Sequence, residues 1–387
     1  MKIVAIHNTL WTHYKGDIYS RIYKRTQAER NFDFSVIHLA TTENGRSVLG
    51  NVDLNEHQYP YEVLFDDELQ KILTSHKISS LLSRVIFHNP KLIYLNGYYD
   101  SAYWAVIFYA KFKNIKIIID SESTETSRER IWWKEKLKKL IIPRLDGYLC
   151  LGTKATEYVM KLGVKKEKIL STRNIGVAND KVAQLHQSAF SIKEYSKKQL
   201  NLLPYNFIYA GRFSPIKNLS MLIEAFAEAT EKFNNQHNWG LILSGDGSEK
   251  EALRSLVASR NIEGITFLPS CEWHEVPARY ALADVAILPS LFEPFGFLVN
   301  EALVYGMPII VSNRCGSAFD LVQEGENGYT FDPTKKEELV EKMAKMMNNI
   351  SAHKAMGEKG RKLVAHFHPD LICDDIIKAF NTVLSKQ

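Results

Sequence analysis

The sequence predicts an α/β protein built from two doubly wound parallel-sheet domains. Three observations lead there. The chain has 387 residues, too many for one ordinary core when domains average about 150 residues. Short apolar runs alternate with helical patterns twice over, the arrangement of parallel strands covered by helices on both faces. Between the two series the composition turns polar and rich in lysine and glutamine.

In the first series the strands are read at 2–6, 34–38, 91–96, 115–120, 147–151 and 168–173. In the second they are read at 206–210, 240–244, 264–268, 284–289 and 308–312, with a helix expected from about Leu219 to Phe233. Strand signals fade from Val177 to Pro204. The domains are therefore placed at 1–176 and 205–368, joined by a linker at 177–204. Phe367-His368-Pro369 interrupts the last helical region, which makes 369–387 a separate helix expected to pack back toward the N-terminal domain. Doubly wound sheets collect ligands at the carboxyl ends of their strands, so two such domains facing each other would enclose a central cleft.

Composition narrows the classes. Apolar residues make up 45% of the chain and the net charge is +5. No stretch approaches the roughly 18 uncharged apolar residues of a membrane span. Met1-Lys2-Ile3-Val4-Ala5-Ile6 reads as a first strand rather than a signal peptide, so a cytoplasmic location is expected. Cys150, Cys271, Cys315 and Cys373 are widely separated, against a disulfide framework or a zinc site, and are read as core or near-core thiols. The basic residues are scattered and form no recognised nucleic-acid module, so nucleic acid is not the expected partner. One concentration stands out at Ile131–Arg144. There Trp133, Leu137, Leu140 and Ile141 share a helical face while Lys134, Lys136, Lys138 and Lys139 lie elsewhere. Such a helix either rests peripherally on an anionic membrane or packs its stripe inward and solvates its lysines.

The segment Leu288–Gly306 reads strand, loop, helix, with Pro294 and Gly296 where the chain turns into the helix. The free N–H groups of that helix start, around Gly296 and Phe297, form an anion site. Glu293 lies just outside it. Glu301 lies about a turn and a half inside and leans back toward the N-terminus. Carboxylates accept from sugar hydroxyls, so the layout suits a ligand with hydroxyls at both ends and phosphate between them, as in a nucleotide sugar. A second cluster, Gly211-Arg212-Phe213-Ser214-Pro215-Ile216-Lys217, directly follows another strand. Arg212 offers a planar fork and Lys217 a point charge for phosphate oxygens, while Gly211 leaves room for close approach. A third strand-end loop, Gly245-Asp246-Gly247, is expected to turn tightly, with Asp246 either capping the next helix, the favoured role, or orienting a neighbouring loop.

Together these residues resemble the retaining glycosyltransferases of family 4, which have the two-domain GT-B fold. The resemblance rests on Gly211-Arg212-x4-Lys217, Gly245-Asp246-Gly247, Pro289-Ser290 with Glu293-Pro294-Phe295-Gly296 through Glu301, and Gly306-Met307-Pro308 continuing to Gly325-Glu326-Asn327-Gly328. It implies that Arg212 and Lys217 hold the donor diphosphate, that Glu301 holds the ribose, and that Glu293 contacts the transferred sugar. It also implies that amides from Phe295 to Leu298 complete the phosphate contacts. Gly16, in the loop after the first strand, matches the N-terminal-domain glycine that approaches the diphosphate. Many relatives carry a histidine after the strand equivalent to 115–120. This chain has Asp120-Ser121-Glu122 there, and Ser121 or Glu122 becomes the candidate replacement.

The implied chemistry is transfer of a sugar with retention, without a protein nucleophile, a cofactor or an essential metal. The acceptor would be a glycan or lipid-linked glycan of cell-surface polysaccharide assembly. Trp11, Tyr14, Tyr98 and Tyr99 on N-terminal strand-end loops are available to contact it, although aromatics at such positions are more often core. Two other readings stay beside this one: a nucleotide-sugar epimerase on the same scaffold, and a catalytically silent partner that binds the donor for another transferase.

Overall fold

The computed structural model describes residues 1–44, 52–125, 131–174, 176–177, 180–232 and 238–385. The chain divides into two compact units. The first takes the N-terminal part to Gly176 together with the segment from Pro369 onward; the second is Val177–His368.

The first unit holds a seven-stranded sheet ordered β3-β2-β1-β4-β5-β6-β7. Its strands are β1 (Lys2–Thr9), β2 (Asp33–Thr42), β3 (Tyr61–Glu68), β4 (Leu92–Leu95), β5 (Lys116–Ser121), β6 (Gly147–Cys150) and β7 (Ile169–Ser171). Every pairing is parallel. The central strands bury both faces. Ile3 and Ala5 join one core cluster while Val4 and Ile6 join the other, as the period of two requires.

The last helix, Pro369–Leu384, belongs to this first unit. Phe380 stacks on Phe34 at 6.3 Å and meets Tyr94 edge-on at 5.7 Å. Asp370 pairs with Arg21 at 2.7 Å and Arg25 at 3.0 Å, and Asp375 pairs with Arg173 at 2.8 Å. Aromatic burial thus carries the docking, and half-exposed ion pairs orient it.

The second unit repeats the design with six parallel strands ordered β10-β9-β8-β11-β12-β13. They are β8 (Tyr205–Ala210), β9 (Trp239–Ser244), β10 (Ile265–Leu268), β11 (Val285–Leu288), β12 (Ile309–Ser312) and β13 (Gly328–Phe331). The span expected as a linker instead carries two helices, Asp180–Ser191 and Lys193–Gln199, folded into this unit. Its polarity misleads because two of the lysines are structural. Lys193 and Lys197 pair with the two oxygens of Asp284 at 2.7 and 3.6 Å, immediately before β11.

β1, β2 and the turn before β3 enclose three buried histidines. The Tyr59 hydroxyl lies 3.1 Å from His38 Nε2 and 2.6 Å from His57 Nδ1, and His7 Nδ1 lies 3.0 Å from the Thr9 carbonyl. Burial pushes His7 down to about 3, with the Lys15 charge adding to the effect, and pushes His57 down to about 4 and His38 well below its usual range. Unfolded histidines titrate near 6.5. Below that pH the unfolded chain binds protons that the folded cluster refuses. This contribution to stability is therefore fully present above about pH 6.5 and is lost toward pH 4, by up to about 1.4 kcal/mol per pH unit for each imidazole. Urea unfolding should show this decline, and imidazole NMR at pH 5.5 should find all three rings still neutral.

Candidate functional site

β8 and β11 pair side by side, yet the chain leaves β8 toward β9 and leaves β11 toward β12 on the opposite side. The segments beyond their carboxyl ends therefore diverge, and the crevice between them is where doubly wound sheets bind ligands. Both motifs of the sequence sit here. Gly211–Asn218 follows β8, and Pro289–Gly296 follows β11. The Leu291 amide donates to the Ile216 carbonyl at 2.9 Å and ties one loop to the other.

Glycines make the close stacking of these loops possible. Gly245, with φ 148°, has its missing Cβ 1.9 Å from the Gly211 carbonyl oxygen, and at Gly247, with φ 152°, the gap to the Phe213 oxygen is 2.2 Å. The Gly211 amide donates to Ser244 O at 2.9 Å and the Phe213 amide to Asp246 O at 2.7 Å. Asp246 does not cap the next helix, which starts after Glu249 with no side-chain cap bond. Its carboxylate accepts instead from the Gly247 amide at 2.8 Å and from Lys250. The tight turn spends the carboxylate locally and leaves the backbone carbonyl to brace the β8 loop. On the other side, Gly316 sits where a Cβ would be 2.0 Å from the Pro294 oxygen. Its amide donates to Glu293 O at 3.1 Å, and the Ser317 amide donates to Phe295 O at 2.9 Å.

The predicted side chains fall as follows. Lys217 ends a short 3-10 turn, Pro215–Lys217, and its ammonium pairs directly with the Glu293 carboxylate. Both are largely covered, with side chains 16% and 20% exposed, so the pair is worth more than a surface contact. Arg212 stands exposed on the same loop, its carbonyl held at 2.9 Å by the hydroxyl of buried Tyr209. Burial and the Glu293 charge raise the Tyr209 hydroxyl and the Cys315 thiol, so both stay protonated beside the carboxylate.

Gly296 is the N-cap of the helix Phe297–Val304 in the left-handed region, φ 95°. No side chain caps this helix and its first turn carries no acidic residue, so no carboxylate of that turn offsets its dipole end. Phe295 and Leu298 are buried and Phe297 is half-buried. Ser214 Oγ, Ser290 Oγ and Ser317 Oγ, all on these loops, are buried without a hydrogen-bond partner among the described residues.

Glu301 lies inside the helix and accepts from the Tyr280 hydroxyl at 2.8 Å. Tyr280 lies against Tyr305 at 5.1 Å, and Tyr305 stacks on His186 at 4.4 Å. His186 comes from the helix in the expected linker. The sequence reading missed Tyr280 and this support. The available signal was a tyrosine four residues before Asp284, at the end of a short helix preceding β11.

In the first unit Gly16 is not in a loop. It lies in the first turn of the helix His13–Glu29, where a Cβ would meet the His57 ring at 2.9 Å. The sheet runs on through Leu10 and Trp11, whose amides donate to Ala40 O and Thr41 O, so the chain turns helical at once. Ser121, the last residue of β5, is buried and Glu122, just beyond it, is half-buried. Asp120, buried, accepts from Lys15, Asn174 and, at 3.0 Å, the Tyr94 hydroxyl. Lys15 also reaches Asn174 O at 3.2 Å. This buried network was not anticipated. Of the four aromatics, Tyr98 is buried, Tyr99 exposed, and Trp11 and Tyr14 half-buried.

With the geometry in place, the comparisons can be read. Residues 191–363 match a family profile, a range that includes Arg212, Lys217, Glu293 and Glu301. The profile is that of glycosyl transferases group 1. Beyond the group 1 match, the uncharacterised glycosyltransferase YqgM of Bacillus subtilis (strain 168) is 21% identical over 317 residues, 80% of this chain and 83% of that protein. For two further curated glycosyltransferases the match spans only 44% and 46% of their length. Among solved structures, Anabaena HepE in complex with UDP aligns with TM-score 0.76 at 18% identity, over 99% of this chain and 100% of that one. Sucrose-phosphate synthase from Thermosynechococcus elongatus gives 0.74 at 18% identity, over 100% of both chains. The two Rossmann-like domains are those of the GT-B fold.

The loop stacking is directly testable. Gly245→Ala should lower the unfolding free energy by about 1–3 kcal/mol through backbone overlap, read as a fall in Tm. Asp246→Asn keeps the backbone acceptor and should cost only about 0.5 kcal/mol, the size of its half-exposed i,i+4 pair with Lys250.

Proposed function

We propose that this chain is a retaining, metal-independent glycosyltransferase of family 4. It moves a sugar from a nucleoside-diphosphate-sugar donor to a glycan or lipid-linked glycan acceptor in cell-surface polysaccharide assembly. The observation that carries the reading is the pairing of Lys217 with Glu293 across the loops that follow β8 and β11, just before a helix whose start no side chain caps. The group 1 match over the same residues supports it, as do the HepE crystal structures with UDP and with UDP-glucose.

In this reading the diphosphate sits at the Gly296 end of the helix, with Arg212 and Lys217 around it. The ribose hydroxyls donate to Glu301, which Tyr280 holds in place. Lys217 exchanges Glu293 for the diphosphate, and the freed Glu293 accepts from hydroxyls of the sugar. The bond between the anomeric carbon and the phosphate oxygen then breaks while the acceptor oxygen bonds the same face of that carbon. The acceptor proton passes to the departing phosphate. Negative charge grows on the diphosphate as the bond breaks, and fixed cations with helix amides stabilise it. Acceptor contacts fall to the first unit, with Ser121, Glu122 and the exposed Tyr99 as candidates.

Donor hydrolysis and transfer should fall by about 10²–10³ in kcat/KM for Lys217→Ala, the range for losing one charge-stabilising group, and Glu293→Ala should also lower turnover. Binding should separate the two carboxylates. A nucleoside diphosphate at a hundred times its Kd stabilises the folded chain by about 2.7 kcal/mol. Glu301→Ala should lose much of that shift, and Glu293→Ala, which touches only the sugar, should keep it. Millimolar nucleotides that leave Tm unchanged overturn the donor site; binding without any turnover points to the silent-partner reading.

A further inference from the structure

The helix Trp132–Ile141 is built inside out. None of its 10 residues is buried, and what it turns toward the domain is charge. Glu135 and Lys138 pair at 2.7 Å with side chains about a fifth exposed. The Tyr158 hydroxyl donates to Glu135 at 2.9 Å, and Lys138 lies over the Tyr98 ring at 5.8 Å. Trp133, Leu137 and Leu140, spaced four and three apart, form one stripe on the side away from Glu135 and Lys138. They are exposed, as are Ile131 and Trp132, with Trp132 at 70% and Leu140 at 55%. An ordinary surface helix does the reverse and buries its apolar stripe.

Lysines frame this open face. Lys134, Lys136 and Lys139 are exposed. Lys134 lies over the Trp133 ring at 5.4 Å and Lys136 over Trp132 at 4.9 Å. Tryptophan is the residue of the membrane–water interface, apolar with one polar edge, and lysines beside it meet anionic headgroups. At 10 residues the helix extends about 15 Å, half of what a span requires, and no described helix is long and apolar enough to cross a membrane.

We infer that Trp132–Ile141 is an interfacial anchor: it lies flat on an anionic lipid surface with Trp133, Leu137 and Leu140 in the headgroup boundary and Lys134, Lys136 and Lys139 on acidic headgroups. The Glu135–Lys138–Tyr158 cluster is the mount that keeps the apolar stripe outward. The inference rests on this helix alone and not on the donor-site reading, so it can fail while nucleotide binding stands, and the reverse.

The test is sedimentation of the full chain with vesicles of phosphatidylcholine alone or with one third phosphatidylglycerol. The wild type should pellet with the anionic vesicles and lose binding as salt rises. Combined Trp133→Ser, Leu137→Ser and Leu140→Ser should weaken binding at least about tenfold. Lys134→Gln, Lys136→Gln and Lys139→Gln should each cost about fivefold. All these positions are exposed, and circular dichroism should confirm that the variants fold. No binding by the wild type, equal binding to neutral vesicles, or unchanged binding by the apolar variant overturns the anchor. So does a concentration-dependent dimer that the apolar variant abolishes, since a second copy would then be the occupant.

Discussion

The pairing of β8 with β11 is the constraint on which the candidate donor site depends. Two strands far apart in the chain become neighbours, and their following segments are sent to opposite sides of the sheet. Arg212 and Lys217 leave by one route, Glu293 and Glu301 by the other. Without that pairing, four charged residues at two distant places in the sequence would have no reason to share a ligand. What lets the loops around the crevice pack backbone against backbone is the absence of side chains. Gly245, Gly247 and Gly316 let carbonyls of the site loops lie where a Cβ would otherwise stand. The backbone hydrogen bonds of neighbouring loops then hold the site from both flanks, and Leu291 to Ile216 closes the join.

Charge is used differently in the two units. In the second it is gathered beyond the carboxyl ends of β8 and β11, where Lys217 and Glu293 pair with side chains still partly exposed. In the first, the equivalent sheet edge buries its charge. Lys15, Asp120, Asn174 and Tyr94 satisfy one another within the core, an arrangement that tolerates no loss of a single partner. The Glu135–Lys138 pair under the exposed tryptophans is a third use, with polar groups facing the protein and apolar groups facing out.

Central strands were legible because they are buried on both faces and read as continuous apolar runs. The two strands not anticipated, β3 and β13, are both at sheet edges. Tyr61-Glu62-Val63-Leu64-Phe65-Asp66-Asp67-Glu68 is half exposed and ends in three acids, and Gly328-Tyr329-Thr330-Phe331 is too short to show a pattern. The helices at 180–199 were hidden for another reason. Their lysines resemble solvated linker residues until Asp284, some 90 positions away, is seen between them. Gly16 and Asp246 were placed in the correct neighbourhood with the wrong local structure, since one extra turn of sheet or loop decides such details.

The sequence by itself determined the two-domain parallel architecture and pointed to four candidate donor-site side chains, because both depend on local signals: strand runs, a glycine before a helix, a cation or carboxylate at a fixed spacing from it. Only the tertiary structure decided how those side chains are held and which way the apolar faces turn. Lys217 meeting Glu293, Tyr280 holding Glu301 and His186 stacking behind them are contacts between residues up to 119 apart in number, such as His186 and Tyr305. The orientation of the 132–141 helix could not be read from its own pattern, which fits an inward stripe as well as an outward one. The polar partner Tyr158, supplied by a different helix, sets its direction.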